Sequence, residues 1–259
     1  DMPSLEKNKI VWGEEYDWSK KGEEWSQPWG NSKYMWLGTI LPRISDLLPT
    51  KHILEIAPGY GRVTQYLIPF CEKLSIVDLN KNCIDFCKKR FNSNSNIHYF
   101  QNDGKTLKDI ENNSVDFLIS WDSLVHAEKD VLESYIKESA RVLKEGGVGF
   151  IHHSNYGTHA QEDKGFANPH ARSASMTAEL FEKFCNNVGL KCIVQEIILL
   201  GKEDNQGLDV FSLFTKNENI NTNTKIINPN FFMEGQAMRN ISSLYPKDKL
   251  FPEELKSIK

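Results

Sequence analysis

The chain has 259 residues, with 31 Lys and Arg against 35 Asp and Glu, a formal net charge of -4 and 39% hydrophobic residues. That length suits one sizeable domain with additions or two small ones, and the mildly acidic balance argues against general binding of nucleic acid or anionic membranes. No stretch approaches the roughly 18 apolar residues of a membrane span. The start, Asp1 to Lys7, lacks the apolar core of a signal peptide, so a cytoplasmic protein is expected. Cys71, Cys83, Cys87, Cys185 and Cys192 are odd in number and form no C-x-x-C pair, which predicts small buried thiols rather than a disulfide framework or a zinc site. One imbalance stands out: five of the six tryptophans fall in the first 36 residues.

Residues 1–36 are aromatic and polar without a sustained period, and Trp12, Tyr16, Trp18, Trp25, Trp29, Tyr34 and Trp36 are too many for a disordered tail. Trp36 and Leu37 begin a helix leading into Leu41 and Ile44. His52 to Ala57 is a short apolar run stopped by Pro58-Gly59-Tyr60-Gly61, a buried strand ending in a turn, after which Val63, Tyr66, Leu67 and Phe70 recur at helical spacing. Leu74 to Asp78 reads as a second strand, and Ile84, Cys87 and Phe91 share a helix face. Ile97 to Phe100 and Val115 to Ile119 supply two more strands. A helix from about Lys129 to Lys144 follows, expected to stop at Gly146-Gly147. Val148 to Ile151 is a fifth strand, and Thr177 caps a helix that Gly189 ends. Cys192 to Leu200 and Val210 to Thr215 are strands separated by hairpin-like turn material. Residues 37–216 therefore predict an α/β domain, and 217–259 an Asn-rich linker and tail.

Alternation of strands and helices implies right-handed crossovers and a mostly parallel sheet covered on both faces. The closing strand pair adds one antiparallel member near an edge, and ligands belong above the carboxyl ends of the early strands. The turn Glu55-Ile56-Ala57-Pro58-Gly59-Tyr60-Gly61 brings backbone N–H groups against a ligand at a helix start. A dinucleotide fingerprint needs a third glycine where Thr64 stands, which weakens a Rossmann dehydrogenase, and no Gly-Lys-Ser/Thr follows for a phosphate loop.

This turn resembles the E/D-x-x-x-G-x-G signature of class I S-adenosylmethionine-dependent methyltransferases. The resemblance implies a Rossmann-like seven-stranded sheet of order 3-2-1-4-5-7-6, with S-adenosylmethionine as cofactor. It implies cofactor contacts from Glu55, Ala57, Gly59 and Gly61 in the first turn. Asp78 and Leu79 after strand two would lie on the ribose, Asn102, Asp103 and Gly104 after strand three at the adenine, and Trp121 beside the methionine portion. The segment before strand one commonly forms a lid in this family. Residues 10–36 are read as that lid, with Trp29 against the cofactor and Tyr16 and Trp18 against the acceptor, the alternative being a hydrophobic latch on the sheet's flank.

Methyl transfer from a sulfonium is an in-line displacement that needs alignment and, for a hydroxyl acceptor, removal of a proton. Asp122 and His126 are four apart just past strand four, so a helical turn points both at the methyl donor, with His126 as candidate base. Strand alternation puts His153 and Asn155 on the opposite face from His152 and Ser154, so one pair faces the ligand crevice and the other the helix layer or a neighbouring strand; His153 and Asn155 are taken as the substrate pair, with the His152 face as the alternative. Adjacent histidines invite a metal, but no third ligand lies at metal-site spacing, so none is expected. His170 and Arg172, in the loop Tyr156 to Ser173, are assigned to a phosphate on the acceptor. The reading is a methyltransferase of a polar small molecule, a phosphate- or nucleotide-bearing one among the acceptors expected, acting as monomer or homodimer. The resemblance extends to bacterial enzymes that O-methylate sugars or nucleotide-linked precursors of surface polysaccharides and natural products. Alternatives are an amine or phosphoryl-oxygen acceptor, a tRNA or protein substrate, and a non-catalytic binding module.

Overall fold

The computed structural model describes residues 3–160, 168, 170–199 and 207–245. Its centre is an eight-stranded sheet of order β3-β2-β1-β4-β5-β7-β6-β8. The strands are β1 (Thr50–Ile56), β2 (Cys71–Asp78), β3 (Ile97–Gln101), β4 (Val115–Ser120), β5 (Leu143–Ser154), β6 (Lys191–Leu199), β7 (Gly207–Thr215) and β8 (Thr224–Asn228). Strand β7 runs antiparallel to both β5 and β6, and every other pairing is parallel. The predicted seven-strand order is thus present and extended by one.

Period-two alternation sorts the strand residues into two layers. Leu54, Leu118 and Ile151 pack with Leu132 and Ile136 of α3 (Lys129–Val142) and Phe181 of α4 (Ala178–Asn187). Ile53, Phe117, Ile119 and Phe150 face the other way, onto Ile40, Ile44, Leu67 and Ile84, the last from α2 (Lys81–Arg90). Thr177 caps α4 as predicted, its side chain accepting from Leu180 N–H at 3.1 Å. Helix α3 ends earlier than expected, at Val142. Gly146, with φ +75°, lies instead in a bulge of β5, where the register against β4 jumps from Val115–Leu143 to Phe117–Val148.

Within the expected linker and tail over 217–259, the described residues form β8 and α5 (Phe231–Ser243), while 246–259 lie outside the described residues. Composition hid the strand because its asparagines serve the sheet. Asn223 Nδ2 donates to Glu182 and Gln195 at 3.0 Å each, and Asn228 Nδ2 to Glu196 at 2.8 Å. Helix α5 folds back on the N-terminal segment. Arg43 pairs with Glu196 of β6 at 2.8 Å and with Glu234 of α5 at 2.6 Å, and Thr39 Oγ1 donates to Glu234 at 2.7 Å.

Trp29 belongs to this junction. It is buried, donates Nε1–H to Thr39 Oγ1 at 2.7 Å, and meets Phe231 edge-on at 6.0 Å. Its assignment to the cofactor is therefore corrected to the latch. Trp29→Ala is expected to cost about 3–5 kcal/mol of unfolding free energy, as for a large buried aromatic. Chemical denaturation checks this, and a loss under 1 kcal/mol would contradict the latch.

Candidate active site

The site grows from the turn after β1. Ala57 (φ +57°), Gly59 (φ +56°) and Gly61 (φ +84°) take left-handed conformations that swing the chain across the sheet's carboxyl edge. The two glycines have separate reasons. A Cβ on Gly59 would stand 2.8 Å from the Trp18 ring, and one on Gly61 would stand 2.6 Å from Phe91. Asp78, at the end of β2, accepts from Gly59 N–H at 3.2 Å and Asn80 N–H at 2.8 Å, so it ties the turn to the neighbouring strand. Burial pushes its carboxyl up to about 6, against the pull of those two amides. Glu55 is more strongly affected. Burial, with a smaller push from the Asp78 charge, raises it to about 8 although the Thr64 hydroxyl donates to it.

The N-terminal segment roofs this edge. Helix α1 (Leu5–Ile10) leads into a wide helical turn, Val11–Glu15, and then short turns that carry the tryptophans. Trp18 stacks on Tyr60 at 4.4 Å and 8°, and Tyr60 stacks on Phe86 at 4.0 Å. Trp18 Nε1–H donates to the Trp12 carbonyl at 2.9 Å, and Trp12 meets Trp25 edge-on at 5.7 Å. Two adjoining cavities lie beneath. The larger, about 730 Å³ with its solvent-open mouth, is lined among others by Leu5, Trp12, Asp78, Leu79, Gly104 and His126. The smaller, about 370 Å³, is lined among others by Lys21, Glu55, Tyr60, Arg62 and Trp121. Trp18, Trp25, Ala57, Gly59, Asp122 and Ser123 face both.

Asp122 stands at φ +55°, a left-handed position uncommon for a residue with a Cβ. Its carboxylate pairs with Arg62 at 2.8 Å, and Arg62 lies over the Trp25 ring at 5.5 Å. Burial opposes the Asp122 charge, but the guanidiniums of Arg62 and Arg172 outweigh it and hold the carboxyl below its ordinary value. His126 Nδ1 lies 3.0 Å from the Ala171 carbonyl. A carbonyl only accepts, so Nδ1 carries the proton and Nε2 keeps its lone pair. Burial lowers this histidine below its ordinary value and favours the neutral ring. The Trp12 ring lies 5.2 Å away and Asn8 Nδ2 donates to the His126 carbonyl at 2.7 Å, so the roof also fixes this wall.

His152 connects the two buried acids. Asp122 N–H donates to its Nδ1 at 3.1 Å, and its Nε2 lies 2.8 Å from Asp209 Oδ2. Since Nδ1 accepts, the ring is neutral with its proton on Nε2, donated to Asp209. Arg172 donates to the same carboxylate from Nε at 2.9 Å and from NH2 at 2.8 Å. Burial pushes Asp209 up, yet Arg172 and His152 together hold it well below the carboxylate range.

Several expected contacts fall elsewhere. Alternation turns His153 toward α4, where it stacks on Phe181 at 4.3 Å and bonds Ser212 Oγ at 2.7 Å; burial pushes it down to about 4. Asn155 accepts from Ala178 N–H at 2.8 Å, so it serves the start of α4. Neither lines the two cavities, and nor does His152, which packs on the cavity-lining Trp121 with ring centres 5.1 Å apart. Asp103 is exposed and folds over its own turn, accepting from Lys105 and Thr106 N–H, while Asn102 supports Gly104 N–H at 2.9 Å. Of that trio only Gly104 lines the larger cavity. Tyr16 packs on Trp12, Trp18 and Trp25 and donates to Glu24 behind the cavity-lining rings. Arg172 is committed to Asp209, and His170 is exposed. Of the loop Tyr156 to Ser173, residues 161–167 and 169 lie outside the described ones. Among the described residues no group of acids, histidines and cysteines could hold a metal, and the five cysteines are free. No helix among them is long and apolar enough to cross a membrane.

Sequence reasoning missed Trp12, Trp25, Arg62 and the His152–Asp209 pair. The first two were visible in the tryptophan cluster, and Arg62 directly follows Gly61. Asp209 had no local signal, being 57 positions from His152.

Comparison with known proteins agrees with this geometry. A family model described as a methyltransferase domain matches residues 53–147. Among solved structures, an S-adenosylmethionine-dependent methyltransferase from Clostridium acetobutylicum is similar with TM-score 0.55 at 18% identity, over 77% of this chain and 95% of that one. A candidate sarcosine dimethylglycine methyltransferase from Galdieria sulphuraria also has TM-score 0.55, at 17% identity, over 75% and 86%. In sequence, ribosomal RNA small subunit methyltransferase A of Coxiella burnetii is 37% identical over 54 residues, 21% of each chain. The chain thus spans about a fifth of the length of the curated relatives it matches. Residues 53–147 are thus similar to a methyltransferase domain, and the chain shares the fold of solved S-adenosylmethionine-dependent methyltransferases.

Proposed function

We propose that the protein transfers the methyl group of S-adenosylmethionine to an oxygen of a polar small molecule. The observation that carries this reading is His126, a neutral histidine with a fixed tautomer in the wall of the larger cavity. Asp78, Leu79 and Gly104 in that cavity suit the adenosine end of the cofactor, and Glu55, Trp121 and Arg62 in the smaller one suit its amino-acid end. The acceptor hydroxyl attacks the sulfonium methyl in line. The carbon–sulfur bonding pair returns to sulfur, and Nε2 of His126 takes the hydroxyl proton. The tryptophan roof excludes water, and its ring faces favour a sulfonium as they favour other cations.

A sugar or nucleotide-linked precursor of a surface polysaccharide or natural product is the acceptor class to which the resemblance leads. The commitment of Arg172 to Asp209 weighs against that arginine neutralising a phosphate. An amine or phosphoryl-oxygen acceptor would need no base and would leave His126 without a proton to take. An RNA acceptor fits poorly with a net charge of -4.

The pH dependence follows from His126. With its value lowered by burial, kcat/KM for a hydroxyl acceptor should rise with pH through an inflection below the ordinary histidine value and level off at neutrality. His126→Gln should abolish that inflection and lower kcat by roughly 10²–10⁴-fold; full turnover with an unchanged profile would refute the base. Trp18→Ala should weaken S-adenosylmethionine binding in calorimetry while changing thermal stability less than Trp29→Ala does. Glu55, raised to about 8 by burial, is mostly protonated at pH 7 in the empty site. A cationic ammonium placed against it favours the carboxylate, so cofactor binding should release protons at pH 7. Calorimetry in buffers of different ionisation enthalpy should detect the release, and Glu55→Gln should remove it.

A further inference from the structure

Asp209 is a buried carboxylate that no step above uses. It sits on β7 opposite Ser154 of β5 and is 1% exposed. Two chains of contact leave it. Through His152 it reaches Asp122: the ring's Nε2–H donates to Asp209 at 2.8 Å, and the ring's Nδ1 accepts Asp122 N–H at 3.1 Å. Through Arg172 it reaches His126: the two-pronged pair at 2.8 and 2.9 Å anchors Arg172, and the preceding carbonyl, Ala171, accepts from His126 Nδ1–H at 3.0 Å.

Both chains end at a residue in the left-handed region, Asp122 at φ +55° and Ala171 at φ +48°. Such residues persist where their surroundings over-determine them. Asp122 is fixed by His152 on its amide and Arg62 on its carboxylate. Ala171 is fixed by its neighbour. Asn168 clips Arg172 by donating to its carbonyl at 2.7 Å and accepting its N–H at 2.8 Å, and Ser173 N–H donates to Val125 at 2.9 Å. These backbone clips shape the segment, and the Asp209 pair ties that shape to the sheet.

We propose that Asp209 is the positioning residue of the site. Through His152 it holds the Asp122 turn, and through Arg172 it holds the carbonyl that sets the tautomer of His126. The effect on turnover rests on the reading of His126 as base; the effect on the tautomer does not. One buried charge thereby ties two cavity-lining residues, Asp122 and His126, to the sheet.

The test is long-range ¹⁵N–¹H spectroscopy of the histidine rings, with His126 assigned by His126→Gln. The wild-type protein should show His126 protonated on Nδ1 and His152 on Nε2. Asp209→Asn, and Arg172→Gln should the first variant fold poorly, should move His126 to a mixture of tautomers. Turnover should fall by roughly 10–10²-fold, as for misplaced catalytic groups, with S-adenosylmethionine affinity changed less than about threefold. Arg172→Lys, which keeps the charge without the fork, should recover part of the loss. An unchanged His126 tautomer in both Asp209→Asn and Arg172→Gln would overturn the proposal. So would a loss of turnover fully matched by lost cofactor affinity. Full turnover in His126→Gln would sink the base reading alone, and the tautomer spectra would still decide on Asp209.

Discussion

The contact between the Trp18 indole and the main chain at Gly59 turns an open sheet edge into an enclosed site. Strand-and-helix architecture supplies a crevice above the strand ends but no wall on its solvent side. Here the absent Cβ at Gly59 lets an indole lie directly on the turn, continuous with the stack of Tyr60 and Phe86. The same ring is bonded to Trp12, and Trp12 lies against His126. The glycine turn after β1 and the wall that carries His126 are therefore coupled through aromatic packing in a segment outside the sheet.

Electrostatics at this edge follow from the enclosure. Burial raises Glu55 and Asp78, which have amide or hydroxyl donors but, among the described residues, no ion pair, the Arg90 charge being the smallest influence on Glu55. Burial also opposes the charges of Asp122 and Asp209, yet arginine partners keep both ionised. The acids therefore fall into two kinds. Glu55 and Asp78 are raised toward neutrality, and Asp122 and Asp209 remain anions that hold arginines in place. A single fold edge obtains both from the presence or absence of one neighbouring guanidinium.

What was legible in the sequence is what is local. The Glu55 to Gly61 turn, the strands up to β7, the cap at Thr177 and the free cysteines follow from short patterns whose causes lie within a few residues. Asp103 misled because an acid after a strand satisfies its own turn as readily as a ligand. Alternation established that His152 and His153 face apart, but the face covered by α4 depends on tertiary packing. Trp29 and Trp18 are alike in the sequence. Their fates diverge because α5, far along the chain, supplies the pocket for the first. Strand β8 was illegible because its pairing rests on backbone bonds and asparagine side chains, with exposed Ile226 and Ile227 contributing no buried face.

The clasp among Arg43, Glu196 and Glu234 bears on the order in which the molecule is made. The aromatic segment precedes β1, whereas the helix against which Trp29 packs follows β8. Trp29 therefore gains its pocket only once Phe231 and Glu234, far along the chain, have been made. The rings of Trp12 and Trp18 have no such dependence, since their partners Tyr60 and His126 come earlier. The latch and the roof, although neighbours in sequence, thus become possible at different stages of synthesis.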